Sequence, residues 1–117
     1  MSQLIGHREL KKALRKNEQE AKRKMRLAAQ AGGKEIEADA SNKVPVLTGN
    51  LKRSIHTEVE DEGDNVNALI GTDVEYAPFV EYGTSKMNAQ PYLRPAFDAK
   101  KTRALQIMQL TLRKLKL

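Results

Sequence analysis

The chain has 117 residues, of which 39% are apolar and 31% charged, with a formal net charge of +6. That length holds one modest core and excludes a large multi-domain enzyme. Cysteine is absent, which removes disulfides, thiolate metal sites and cysteine nucleophiles, and aromatics are only 4%, so the core must be largely aliphatic.

No stretch of about 18 apolar residues exists, so no membrane contact is expected. Met1-Ser2-Gln3-Leu4 carries no charged-then-apolar signal, so export by that route is not expected. A reducing cytoplasm, or a particle assembled inside one, is the expected compartment. Charge is distributed in blocks: +7 over residues 1–53, −7 over 54–99 and +6 over 100–117. A protein that only coats DNA has little use for an acidic centre, which repels phosphate. Opposed blocks suit packing between copies of one chain; solvated helix faces and a solvated hairpin are the plainer reading.

Residues 3–43 read as one long helix. Leu10, Leu14, Asn17, Ala21, Met25, Ala28, Gly32, Ile36 and Ala40 recur every three or four residues and share one face. The stripe is thin, with Ala and Gly where Leu is usual, so it buries little area and needs a neighbour. Gly32-Gly33 predicts a kink or break, since each Gly costs about 1 kcal/mol against Ala. Pro45 ends the helix by Val44. Thr48 is placed to cap a short helical turn over residues 50–53, with Gly49 at a bend. Ile55, Thr57 and Val59 alternate with His56, Glu58 and Glu60 as a strand. An acidic turn at residues 61–65 returns the chain along residues 66–70 as an antiparallel hairpin.

Tyr76, Phe79 and Tyr82 lie three residues apart, on one side of a short helical turn that Pro78 can begin. Residues 85–90 read as an exposed, mobile loop. Pro91-Tyr92-Leu93 is predicted as a short third strand. Pro95 opens a final helix with Ala104, Leu105, Met108, Leu112 and Leu115 as its apolar stripe. The fold class is α+β: a long N-terminal helix, a small antiparallel sheet of about three strands, a short aromatic turn and a C-terminal helix. One domain spans 1–117, divided as helix 1–43, sheet region 44–97 and helix 95–117.

No chemistry announces itself. His56 and Ser54 share a strand face without the carboxylate and oxyanion donors of a triad. Asp61, Glu62 and Asp64 lack the spacing of a calcium loop. Glu75 and Glu81 have nothing that sets one pKa apart from the other, as acid–base work requires. Gly32-Gly33-Lys34 lacks the rest of a phosphate loop. Catalytic, metal and cofactor residues are therefore called as none. A small basic nucleic-acid-binding protein is the alternative, weakened by basic segments without interleaved aromatics.

Three segments carry a resemblance: Val44-Pro45-Val46-Leu47-Thr48-Gly49-Asn50-Leu51 through Ile55, Gly71-Thr72-Asp73-Val74-Glu75-Tyr76-Ala77-Pro78-Phe79-Val80-Glu81-Tyr82-Gly83-Thr84, and Gln90-Pro91-Tyr92-Leu93-Arg94-Pro95-Ala96-Phe97. In that order the chain resembles the small morphogenesis proteins of long-tailed bacteriophages, the family named for gene product ten of a Hong Kong lambdoid phage and related in role to minor tail protein Z. The resemblance implies a non-enzymatic virion protein of phage or prophage. The same resemblance implies action in tail completion and head–tail joining, with assembly in the host cytoplasm. It also implies partners: sister copies in a ring, most simply a hexamer, then connector, stopper and tail-terminator proteins, with non-specific contact to channel DNA. Structural or interface candidates are Thr48, Gly49, Asn50, Leu51, Tyr76, Phe79, Glu81, Tyr82, Gly83, Pro91, Arg94 and Pro95. Among them Tyr76, Phe79 and Tyr82 are expected to anchor the turn on the sheet, chiefly as core. Glu81 and Arg94 are expected to form an ion pair between the turn and the third strand.

Overall fold

A computed structural model describes residues 7–45 and 49–115, with side chains described from residue 15 onward. The order is α1 (His7–Lys43), α2 (Gly49–Ser54), β1 (His56–Glu62), β2 (Asn65–Gly71), α3 (Ala77–Tyr82) and α4 (Leu93–Lys114). The α+β class, the long first helix, the antiparallel hairpin, the short helical turn and the last helix stand as expected. In the hairpin Thr57 faces Ile70 and Val59 faces Ala68. The predicted capping residue Thr48 and the stripe residues Leu10 and Leu14 lie outside the described residues and side chains.

The sheet has two strands. Residues 91–93 are not a third: Tyr92 is the N-cap of α4 and Leu93 its first residue. The backbone N–H groups a strand would give to a ladder go instead to a carboxylate, described below.

The helix α1 is the spine. Its stripe is buried at Ala28, Gly32, Ile36 and Ala40, while Asn17 is exposed. Ala29 and Gly33, one position round, are buried too. Gly32-Gly33 does not break the helix, which runs unbroken to Lys43. The two glycines instead let α1 be approached from two sides. A Cβ on Gly32 would lie 2.6 Å from the Met108 side chain and 2.8 Å from the Ala104 carbonyl oxygen of α4. A Cβ on Gly33 would lie 2.5 Å from Thr57 Cγ2 of β1. The helix-propensity cost is offset by the close packing these contacts permit. Gly32→Ala is a direct test. It gains about 1 kcal/mol of helix propensity and loses about 1–3 kcal/mol to overpacking against a backbone oxygen. Overpacking wins, so chemical denaturation should show a lower midpoint.

One core gathers Ile36, Ala40, Val44, Leu51, Ile55, Ala77, Val80, Tyr92, Ala96 and Ala104 at the C-terminal end of α1. Ala96 shares that core with Ala40, while Met108 lies beside Gly32, so α4 runs antiparallel to α1. The molecule measures 76 × 25 × 19 Å with a radius of gyration of 19.7 Å. A compact chain of this length would have a radius near 13 Å. Residues 15–20 of the long helix are all exposed, so this segment has no apolar cover from the described residues.

The acidic hairpin folds back onto basic α1. Arg26 donates from Nε to Asp61 Oδ1 at 3.0 Å and from the guanidinium NH2 to Oδ2 at 2.5 Å, and Lys22 Nζ donates to the Gly63 carbonyl at 2.6 Å. Part of the charge opposition read in the sequence is thus spent within the chain. The Arg26 hydrogen bond holds the Asp61 carboxyl below its ordinary range, with Lys22 adding to it. The associated stability is present above an unfolded pKa of about 3.9 and is lost as pH falls through the folded value.

Candidate assembly surface

The site begins with how α3 and α4 are joined. Ala77, Val80 and Glu81 form the buried side of α3. Glu81 is charged yet only 7% exposed. Its carboxylate accepts backbone N–H groups from Tyr92 at 3.1 Å, Leu93 at 2.8 Å and Arg94 at 3.3 Å. Those are the N-cap, N1 and N2 donors of α4; the N3 residue is Pro95, which has no N–H. The four donors that a helix start leaves unpaired are thereby all accounted for. A negative charge at the positive end of the helix adds to the effect.

The expected Glu81–Arg94 ion pair is corrected by this arrangement. Arg94 gives Glu81 its backbone N–H, and its guanidinium turns outward to Asp98 at 3.3 Å. Carboxylates bury far better against fixed backbone dipoles than against a mobile surface charge.

The aromatic residues are also corrected. Tyr76, Phe79 and Tyr82 do share a side of the turn, but it is the outer one: their exposures are 38%, 54% and 80%. The inner side is occupied by Ala77, Val80 and Glu81. The buried aromatic is Tyr92 instead, fully enclosed. Burial first, then the neighbouring Glu81 and Tyr82, push its phenol up to about 12.

The remaining candidates are mostly scaffolding. Leu51 is fully buried, and Asn50 accepts a hydrogen bond from Arg53 at 2.7 Å. A Cβ on Gly49 would meet only the Arg53 guanidinium, at 3.3 Å. Gly83 ends α3 at φ 77°, and a Cβ there would lie 2.7 Å from the Ala89 backbone nitrogen. Both facts require glycine. Residues 85–90 are exposed, as expected. They are also tied down: Thr84 and Met87 exchange backbone hydrogen bonds, and Gln90 N–H donates to the Val80 carbonyl at 2.8 Å. Pro91 is exposed and Pro95 half-buried.

Sequence reasoning missed a second apolar surface. An open cleft of about 500 Å³ lies between β2 and α4, lined by Leu69, Phe97, Lys101, Leu105 and Met108 among others. Leu69, Phe97 and Leu105 are 45%, 47% and 59% exposed. A signal was present in the composition of α4. Its apolar residues occupy more of its circumference than the narrow Ala/Gly stripe of α1 can cover.

Catalytic geometry does not form at the Ser54–His56 pair. Ser54 Oγ bonds the Leu51 carbonyl at 2.7 Å and Thr72 Oγ1 at 2.5 Å, while His56 Nδ1 lies 2.9 Å from the Ser54 carbonyl and its Nε2 3.0 Å from Glu58. The Ser54 carbonyl, then Glu58, raise the His56 pKa above its ordinary 6.5. Its contribution to stability is therefore full below about 6.5 and is lost as pH rises through the folded value. An NMR titration of His56 should show a midpoint above 6.5 that falls in Glu58→Gln; a midpoint at or below 6.5 contradicts the geometry. Among the described residues no helix is long and apolar enough to cross a membrane.

Two exposed apolar surfaces on an elongated spine describe a chain built to be covered. Over residues 8–83 it matches the protein-family model described as "Bacteriophage HK97-gp10, putative tail-component". The chain belongs to the HK97-gp10-like family. Membership gives it a structural part in a phage particle. The family match takes in α1, the hairpin and α3, and so includes the outward aromatic turn and the buried Glu81. No curated protein and no solved structure matches the chain.

Proposed function

We propose that this HK97-gp10-like protein is a non-enzymatic tail-completion component that joins head to tail as an oligomeric ring, with six copies the simplest number. The observation that carries the reading is the exposed aromatic turn at Tyr76, Phe79 and Tyr82 on a chain 76 Å long. Apolar surface of this kind on a small protein is a mark of assembly. Closed rings arise from head-to-tail contacts whose rotation closes. The ring sits at the head–tail junction of the virion, after assembly in the host cytoplasm, against connector, stopper and tail-terminator proteins. Exposed bases such as Arg15, Lys16 and Arg23 on α1 give it a non-specific attraction for DNA in the channel.

Mass in solution across a wide concentration range tests the ring, and electron microscopy of particles carrying labelled protein tests its position. A defined oligomer at high concentration and label at the neck are expected. A monomer at every concentration, with label along the tail shaft, refutes the reading. Salt separates the DNA alternative. Binding governed by phosphate contacts falls steeply with salt, whereas apolar assembly persists.

A further inference from the structure

The sheet is narrower than the helix layer beneath it. Two strands about 4.8 Å apart lie over two helices whose axes are about 8–10 Å apart. The cleft of about 500 Å³ between β2 and α4 is the space left over. Five consecutive residues of β2, from Val66 to Ile70, line it. Successive strand residues point to opposite faces, so a surface touched by all five is the edge of the strand and not a face. A second opening of about 450 Å³ continues along Ala68, Leu69 and Ile70. The hairpin turns at Gly63-Asp64, with Glu62 opposite Asn65. In a two-residue turn that flanking pair exchanges hydrogen bonds, so alternate residues from Asn65 onward aim their backbone groups at β1. Val66, Ala68 and Ile70 aim theirs into the cleft, and among the described residues no backbone partner outside the ladder meets them. The opposite edge is guarded by charge, since β1 carries Glu58, Glu60, Asp61 and Glu62, whereas β2 carries none.

We propose that residues 1–6 of a neighbouring copy add to the free edge of β2 as a third strand. The segment Met1-Ser2-Gln3-Leu4-Ile5-Gly6 precedes α1 and has no ionisable side chain. That suits a cleft whose one lining charge is Lys101, with the exposed Glu58 and Glu60 across the ladder from Leu69 and Asn67. Six extended residues span about 20 Å, enough to run beside the five of β2. They do not reach their own cleft. Arg26 is level with the hairpin tip, where it holds Asp61, and the helix from His7 to Arg26 is about 28 Å long. The same projection carries the segment out to another molecule. A neighbour's hairpin does not fit in its place. Antiparallel pairing of β2 with β2 turns about a two-fold axis normal to the sheet, which puts α4 of one copy where α1 of the other must lie. A single added strand gives the edge its backbone hydrogen bonds and brings side chains over Phe97 and Leu105. The contact is head-to-tail. This inference rests on the ring reading above and names the contact that would build it.

Hydrogen exchange reads the edge directly. The amides of Val66, Ala68 and Ile70 should slow about tenfold or more on assembly, while those of Asn67 and Leu69, already bonded to β1, change little. Ile5→Pro removes a donor from the arm and should raise the assembly midpoint about tenfold. Ala68→Pro removes an N–H that points away from β1, so the hairpin keeps its ladder and the midpoint should rise likewise. The chain has no cysteine, so introduced thiols are unambiguous. With a short bis-maleimide, a mixture of Gln3→Cys and Leu69→Cys should give a linked dimer, and each variant alone should stay unlinked. Assembled particles with the three amides unprotected overturn the contact and leave the ring standing. Protection that persists in Ile5→Pro, with no link between positions 3 and 69, gives the edge to a strand of another protein and also overturns it. A monomer at every concentration ends both.

Discussion

Glu81→Ala is expected to destabilise the protein by about 3 kcal/mol. Three backbone donors lose a charged acceptor at once. Each such bond is worth roughly 1.5–3 kcal/mol when the donor is left unpaired in the interior. The total stays below their sum because Arg94 is exposed, and water can reach the opened helix end. At about 4 °C per kcal/mol the melting temperature should fall by some 12 °C. Glu81→Gln keeps one acceptor oxygen and loses the charge, so it should fall between the two. Hydrogen exchange locates the effect: the first turn of α4 should open before the hairpin does. An unchanged melting temperature in Glu81→Ala would falsify the role assigned to this carboxylate.

Tyr92→Ala should cost more, about 3–5 kcal/mol, the range for removing a large buried ring. Tyr92 is one of the two largest fully buried side chains, with Leu51. It sits where α3, α4 and the end of α1 meet, and its neighbours in the core are mostly Ala and Val, too short to fill the space it leaves. Denaturant unfolding with an unchanged slope checks the loss of stability alone. Because Tyr92 N–H is itself a donor to Glu81, the two sites share a partner. The double variant should therefore lose less than the two singles together. Strict additivity would mean that packing and capping are independent here.

Local periodicity was enough for the helices and the hairpin. The alternation of Ile55, Thr57 and Val59 and the polar turn after them define a strand pair that pleats one way only. The spacing of Ala28, Gly32, Ile36 and Ala40 defines the buried side of α1. Residues 91–93 enter a helix rather than form the predicted strand, because a proline, an aromatic and a leucine are as compatible with an extended segment as with a helix entry. The deciding group, Glu81, lies 11 positions before Tyr92. The unbroken helix at Gly32-Gly33 has the same kind of cause. Alone, each glycine weakens a helix, and only Met108, Ala104 and Thr57, all distant in sequence, show what it is for.

The candidate surface shows the division most clearly. Spacing put Tyr76, Phe79 and Tyr82 on a common side, but periodicity has no sign: it says which residues go together, not whether they go inward or outward. The sign came from competition for space, in which Ala77, Val80 and a backbone-bound carboxylate took the interior side of α3 and Tyr92 became the fully buried aromatic. By itself the sequence determined a long thinly apolar helix, a hairpin, a short turn and a final helix, since these follow from interactions within a few residues. Only the tertiary structure decided which aromatics are left for a partner, because burial depends on what arrives from elsewhere in the chain.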